Sequence, residues 1–222
     1  MGGGLIVLEG IEGVGKTTQL QLLRALLERT NVVTTVREPG GTPAGDDIRR
    51  LLLDPESQLD ERTEALLFMA SRAQVVAAVI RPALDRGEFV LVDRFFLSTY
   101  AYQIAGRGLP EEEVRRANAL ATNGLVPHLT LLLDLPPDAA LERAAKRSAQ
   151  DRIERSGDVF YQRVRDAFVS FAKSEWQQNH PEAGPVVLVD ASGDQQVVAT
   201  RIAMAVNRRW PQTTASLAES KS

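Results

Sequence analysis

Residues Gly10 to Thr17 read Gly-Ile-Glu-Gly-Val-Gly-Lys-Thr, and they sit between an apolar run, Leu5-Ile6-Val7-Leu8, and a segment in which Leu20, Leu23 and Leu27 repeat at helical spacing. A buried strand, a glycine turn and a helix in that order commit the chain to an α/β architecture. The same order aims backbone N–H groups and a helix N-terminus at one point, which is a phosphate cradle. Alone, G-x-x-x-x-G-K-[ST] could be a glycine-rich turn with an incidental lysine, and the flanking strand and helix decide against that. The loop expected to hold a nucleoside triphosphate therefore comprises Gly10, Ile11, Glu12, Gly13, Val14, Gly15, Lys16, Thr17 and Thr18. Lys16 can reach the β and γ phosphates, and the Thr17 hydroxyl is a magnesium ligand.

Strands and helices alternate along the rest of the chain. Short apolar runs at Leu5–Leu8, Val32–Val36, Phe89–Val92, Leu129–Leu135 and Val186–Val189 read as five parallel strands buried on both faces. Leu66, Met69, Ala73 and Val76 repeat at helical spacing, and Thr42-Pro43 opens a helix through Ile48, Leu51 and Leu52 as an N-cap followed by proline. Another helix begins near Pro110 and is closed by Gly124 and Pro127. The expected fold is a phosphate-loop α/β fold, a five-stranded parallel sheet with helices on both faces, forming one domain over residues 1–210. Residues 211–222 are Ser/Thr/Ala-rich and are expected to be a disordered tail.

Charge and composition narrow the partners. A net charge of −3 without a basic stripe argues against a nucleic-acid binder. No cysteine is present, so disulfides and thiolate metal sites are excluded, in keeping with a reducing compartment. No apolar run approaches the ~20 residues that span a bilayer, and the expectation is a cytoplasmic protein without a membrane partner.

Three charged segments interrupt the alternation. Arg37-Glu38-Pro39-Gly40-Gly41-Thr42 lies past the carboxyl end of the second strand, where open α/β sheets bind ligands. Asp93 ends the middle strand, where its carboxylate can hold magnesium through water, and the guanidinium of Arg94 after it can grip phosphoryl oxygens. The stretch from Arg147 to Asp158, with Arg152 and Arg155, has few apolar anchors and reads as a mobile lid that excludes water and delivers cations. Periodicity alone places Phe68 in the core.

Taken together, these motifs resemble the thymidylate kinase family over residues 5–209: the loop Gly10–Thr17, Arg37–Gly41, Leu67-Phe68-Met69-Ala70-Ser71-Arg72, Asp93-Arg94 with Ser98–Gln103, and Asp151-Arg152-Ile153-Glu154. The resemblance implies a P-loop nucleoside monophosphate kinase fold, ATP as phosphoryl donor, magnesium, dTMP as acceptor and a homodimer built through helix faces. It implies that Phe68 stacks on thymine, against the packing reading, that Arg72 and Gln103 read the base edge and that Tyr102 lies against the deoxyribose. Arg49 and Arg94 would bind the acceptor phosphate, Glu12 would approach the sugar 3′-hydroxyl, and Glu38, Pro39, Ser98 and Thr99 complete the substrate set. Some relatives carry an arginine directly after the acidic loop residue. This chain has Gly13 there, so it resembles the bacterial variant in which Arg147 or Arg152 of the lid supplies the catalytic cation alongside Lys16 and Arg94. Phe95 stands where the family often has tyrosine.

Other readings remain at this point. A related kinase acting on a different nucleotide or nucleoside would keep the same loop and lid. A GTP switch protein would want an Asn-Lys-x-Asp motif, which is missing, and a silent nucleotide-binding module would be expected to lose Lys16, Asp93 or the lid arginines.

Overall fold

The computed structural model describes residues 2–135, 152–153 and 156–211. Arg147, Asp151, Glu154 and Arg155 of the expected lid lie outside the described residues, as does the tail after Pro211.

Strand β1 (Leu5–Glu9) is buried along its whole length because it occupies the middle of a sheet of order β2-β3-β1-β4-β5. Its neighbours are β3 (Phe89–Asp93) and β4 (Leu129–Asp134), with β2 (Val33–Arg37) and β5 (Val186–Asp190) at the edges, all parallel. The expectation of strands buried on both faces holds for the three inner strands only. In β2 the run Val33, Thr34, Thr35 is half-buried, and in β5 Leu188 is exposed, because an edge strand has one flank open to water.

Alternation along the strands feeds two cores. Leu5, Val7, Val90, Val92 and Leu132 face one cluster, while Ile6, Leu8, Leu91, Leu131 and Leu133 face the other. Helices α1 (Lys16–Leu27) and α9 (Gln195–Arg209) cover the second. On the first side lie the long helix that starts with α3 (Glu61–Val75) and the aromatic layer of α7 (Asp158–Phe171), followed by α8 (Ser174–Asn179). Helix α2 (Pro43–Leu53) opens as its sequence dictates, with Thr42 Oγ1 accepting from Gly45 N at 3.0 Å. Helix α6 (Glu111–Thr122) ends at Asn123, which is left-handed at φ 49.

Two helices depart from simple periodicity. After Val75 the chain passes through a π-helical stretch, Val76–Ile80, into α4 (Arg81–Asp85). The core side of α3 is Ala65, Met69, Arg72 and Val75, and Leu66, expected on the apolar face, is exposed. The combined helix Glu61–Asp85 is long and apolar enough by length and hydropathy to cross a membrane, contrary to the sequence expectation. Its Glu64 and Arg72 are nevertheless buried in ion pairs with other elements of this fold. The second departure follows β3. A single turn α5 (Phe96–Thr99) widens into a π-helical stretch, Tyr100–Gly106, and its i→i+5 bonding, as in Arg107 N to Tyr102 O at 2.9 Å, keeps Ser98, Thr99, Tyr102 and Gln103 on one cavity.

Candidate active site

The carboxyl ends of β1, β2 and β3 open into one cavity of about 490 Å³. The phosphate loop forms one wall. Gly10 must be glycine there, since at φ 134 an added Cβ would stand 2.4 Å from Leu133 O. Gly15, left-handed at φ 94, caps α1, and Lys16 is its first residue. Lys16 is not held out into solvent as a free arm. It is buried, and its Nζ donates to Gly10 O at 3.0 Å and Ile11 O at 2.8 Å. Burial, aided by the charge of Arg94, lowers its ammonium to about 8. Of the loop, Glu12, Gly13, Gly15, Lys16 and Thr17 line the cavity. Val14 turns into the core and Ile11 packs between the two clusters, so Gly10, Ile11, Val14 and Thr18 shape the loop without lining the space.

Parallel pairing of Leu8 with Asp93 brings the end of β3 beside the loop, and Thr17 Oγ1 donates to Asp93 Oδ2 at 3.1 Å. The two residues expected to hold a metal are thus neighbours, although 76 positions apart. Arg94 adopts φ 68, a conformation unfavourable for a side chain of its size, and its N–H donates to Leu8 O at 3.0 Å. Its guanidinium donates to Gly10 O and Ser98 Oγ, both at 3.0 Å, pairs with Glu12 and lies over the Tyr102 ring at 5.3 Å. Against the cost of burial, Tyr102 and the carboxylates of Glu12, Glu9 and Asp93 hold its pKa up. Glu12, expected at the sugar, therefore holds Arg94 here.

The other wall is the base side. Phe68, half-buried on α3, lines the cavity with Pro39, Arg49 and Tyr102. Arg49 Nη1 donates to Pro39 O at 3.0 Å. Arg72 is almost wholly buried: Nε donates to Glu38 Oε2 at 2.7 Å, Nη1 to Thr99 Oγ1 and Asn118 Oδ1 at 2.8 Å each, and Nη2 to Phe95 O at 2.7 Å. Burial pushes the Glu38 carboxyl up to about 7 against the pull of Arg72, and among the described residues its Oε1 has no hydrogen-bond partner. All eleven residues of the expected substrate set, Glu12 and the ten from Glu38 to Gln103, line this cavity.

Arg152 does not. Its Nε donates to Leu52 O at 2.8 Å and its Nη2 to Glu64 Oε2 at 2.7 Å, which places it beside Gln103 rather than on the cavity wall. Its neighbour Ile153 is the part of the expected lid that lines the space, together with Tyr161 of α7.

Four important side chains were not singled out in the sequence. Glu9 is fully buried at the end of β1 and accepts from Phe95 N at 2.8 Å, Ser98 N at 3.1 Å and Ser98 Oγ at 2.7 Å, so it fixes the turn that carries Arg94. Glu64 and Arg107 form an ion pair behind Gln103, and Asn118 supports Arg72. The available signal was a carboxylate closing an otherwise apolar strand, and another between apolar positions of a helix.

Comparison with known proteins agrees with this geometry. A family model described as thymidylate kinase matches residues 8–190. The chain is similar to the thymidylate kinase of Deinococcus radiodurans, 46% identical over 205 residues that cover 92% of this chain and 96% of that protein. The thymidylate kinase of Bifidobacterium longum is 50% identical over 182 residues, 79% of this chain and 86% of that one. A crystal structure of thymidylate kinase from Ehrlichia chaffeensis superposes with a TM-score of 0.71 at 28% identity, covering 93% of this chain and all of that one. With a nucleotide-sized cavity that joins a phosphate loop to a base-facing wall, and relatives that match it almost end to end, the chain belongs to the thymidylate kinase family.

Proposed function

We infer that this chain is an ATP-dependent dTMP kinase, transferring the γ-phosphoryl group of ATP to dTMP to give dTDP and ADP. The observation that carries this reading is the single cavity shared by Lys16 and Thr17 on one side and Phe68, Tyr102 and Gln103 on the other. Attack by a phosphate dianion needs no general base, so the protein's work is positioning and charge neutralisation. Lys16 faces the donor phosphates, Arg94 and Arg49 hold the acceptor phosphate, Phe68 stacks on the base and Tyr102 lies along the sugar. Four of the five N–H donors of Arg72 are occupied by protein oxygens, which leaves one for the base edge. The oxygen donors of Thr17 and Asp93 fit a magnesium ion that also keeps water and phosphate ligands. When bound, that ion neutralises charge on the β and γ phosphates.

Because Gly13 leaves the loop without an arginine, we assign the remaining cation to the lid. Arg152 is committed to Glu64 and Leu52, so Arg147 is the better candidate for the γ phosphate, with Arg152 as an anchor of the lid. Release of ADP measured over dTMP, dUMP, dCMP, dGMP, UMP and thymidine tests the function, with dTMP expected to be the best acceptor. A preference for a purine or cytosine acceptor overturns the assignment. The same assay on Arg147→Ala and Arg152→Ala separates the two arginines, since only loss of the catalytic one lowers kcat more than it raises KM.

The lowered Lys16 ammonium has a measurable consequence. At pH 8 it is about half deprotonated in the free enzyme, and a bound triphosphate restores the proton. Binding of magnesium-loaded ATP, whose terminal phosphate is already ionised, is therefore expected to take up about half a proton at pH 8, falling toward zero near pH 6.5. Calorimetry in buffers of different ionisation enthalpy reads this uptake directly, and Lys16→Met should abolish it.

The homodimer reading is supported by adjacent helices α2, α3 and α6, which expose Leu51 (45%), Leu66 (61%) and Leu120 (84%). Ala70 and Ala77 extend the exposed apolar stripe along the α3 helix and its continuation. Light scattering at micromolar concentration is expected to give twice the mass of one chain, and a monomeric mass counts against the dimer. We treat residues 1–210 as one catalytic unit and place it in the cytoplasm, where ATP and free dTMP meet.

A further inference from the structure

Glu64 is almost fully buried on α3, outside the cavity, and the phosphoryl-transfer chemistry does not use it. Its carboxylate is surrounded by donors: Oε1 accepts from Gln103 Nε2 at 3.0 Å and Arg107 Nε at 3.2 Å, and Oε2 from Arg107 Nη2 at 3.1 Å and Arg152 Nη2 at 2.7 Å. Arg107 thus grips it with both arms of its fork and is itself stacked over the Phe160 ring at 4.5 Å. Burial opposes the charge, but the bonds from Arg107, Gln103 and Arg152 outweigh it and keep the carboxyl below its ordinary range.

An ionised carboxylate accepts hydrogen bonds and donates none. A side-chain amide facing it must therefore present its NH2 group, which decides the otherwise ambiguous orientation of Gln103. With the NH2 group turned to Glu64, the atom of Gln103 on the other side of the amide is its carbonyl oxygen, an acceptor. We propose that Glu64 is a specificity-determining positioning residue: by locking the Gln103 amide with its oxygen toward the base, it selects a pyrimidine that carries a hydrogen-bond donor at N3, thymine or uracil, over cytosine, whose N3 is an acceptor. This rests on the assignment of Gln103 to the base edge. Two acceptors brought face to face are mutually unsatisfied once water is excluded, so the discrimination is expressed as weak binding of dCMP.

The test is the ratio of dissociation constants for dCMP and dTMP, measured by calorimetry on the full chain. In Glu64→Gln the neutral amide can accept or donate, Gln103 is free to turn, and the ratio is expected to fall about 10-fold or more. A purely structural role for Glu64 would weaken both nucleotides alike and leave the ratio unchanged, which overturns the proposal. Gln103→Ala separates the two levels of the argument. A collapse of the ratio in Gln103→Ala without one in Glu64→Gln removes Glu64 alone, whereas an unchanged ratio in Gln103→Ala removes Gln103 from the base edge and the inference with it. On the Gln103→Ala background, adding Glu64→Gln is expected to produce no further change in the ratio. Should Glu64→Gln fail to fold with Arg107 and Arg152 left facing a neutral group, Glu64→Gln/Arg107→Met relieves one of those charges and carries the same expectation.

Discussion

Replacing Lys16 by alanine is expected to lower kcat by about 10²–10³-fold, the usual loss when one preorganised charge is taken from a transition state. The ammonium stands at the floor of the phosphate loop, bonded to Gly10 O and Ile11 O, and needs only to exchange those carbonyls for phosphate oxygens when nucleotide arrives. Stability should move little, because two opposing terms are removed together. The two carbonyls lose a donor, but a buried cation whose charged form is already disfavoured by burial disappears as well. A melting temperature within about 4 °C of the wild type with turnover lost is the expected pair of results. Wild-type turnover in a normally folded variant would overturn the phosphate-loop assignment.

The largest effect on stability is expected from Arg72→Ala. This side chain is among the largest fully buried in the protein, and it ties α3 to Glu38 after β2, to Thr99 and Phe95 O after β3, and to Asn118 of α6. Truncation strands those acceptors in a cavity. Glu38 would escape the worst of it by taking up a proton, since burial already lifts its carboxyl to about 7. The remaining loss is about 3–5 kcal/mol, the typical cost of breaking a buried pair. For a chain of this size that is on the order of 10 °C in melting temperature, read by calorimetry. Arg72→Lys should recover little of it, because an ammonium cannot span four acceptors set out for a planar fork. A variant that melts with the wild type but binds dTMP poorly would mean that Arg72 serves the base alone.

Much of the site was legible because its pieces are contiguous. The glycine loop needs only its own eight residues and a strand before it, and Asp93 announced itself by ending an apolar run. Phe68 shows the limit of periodicity: a helix face marks which side is apolar, not whether a cavity lies beneath it. Leu66 shows the same limit from the other side, since it matched a core spacing and stands exposed. The lid was read as a source of arginines, yet where Arg152 points depended on a carboxylate 88 positions away.

By itself the sequence determined the parallel α/β class, the phosphate loop, and the family, since strand pattern, turn glycines and short motifs are properties of neighbouring residues. Tertiary structure alone decided which side chains share work across the sheet. Glu9 reaches Ser98, Arg72 reaches Asn118, and Glu64 gathers Gln103, Arg107 and Arg152. Such pairings are set by strand register and helix packing, where a shift of one residue turns every side chain to the opposite face, and no local pattern in the chain encodes them.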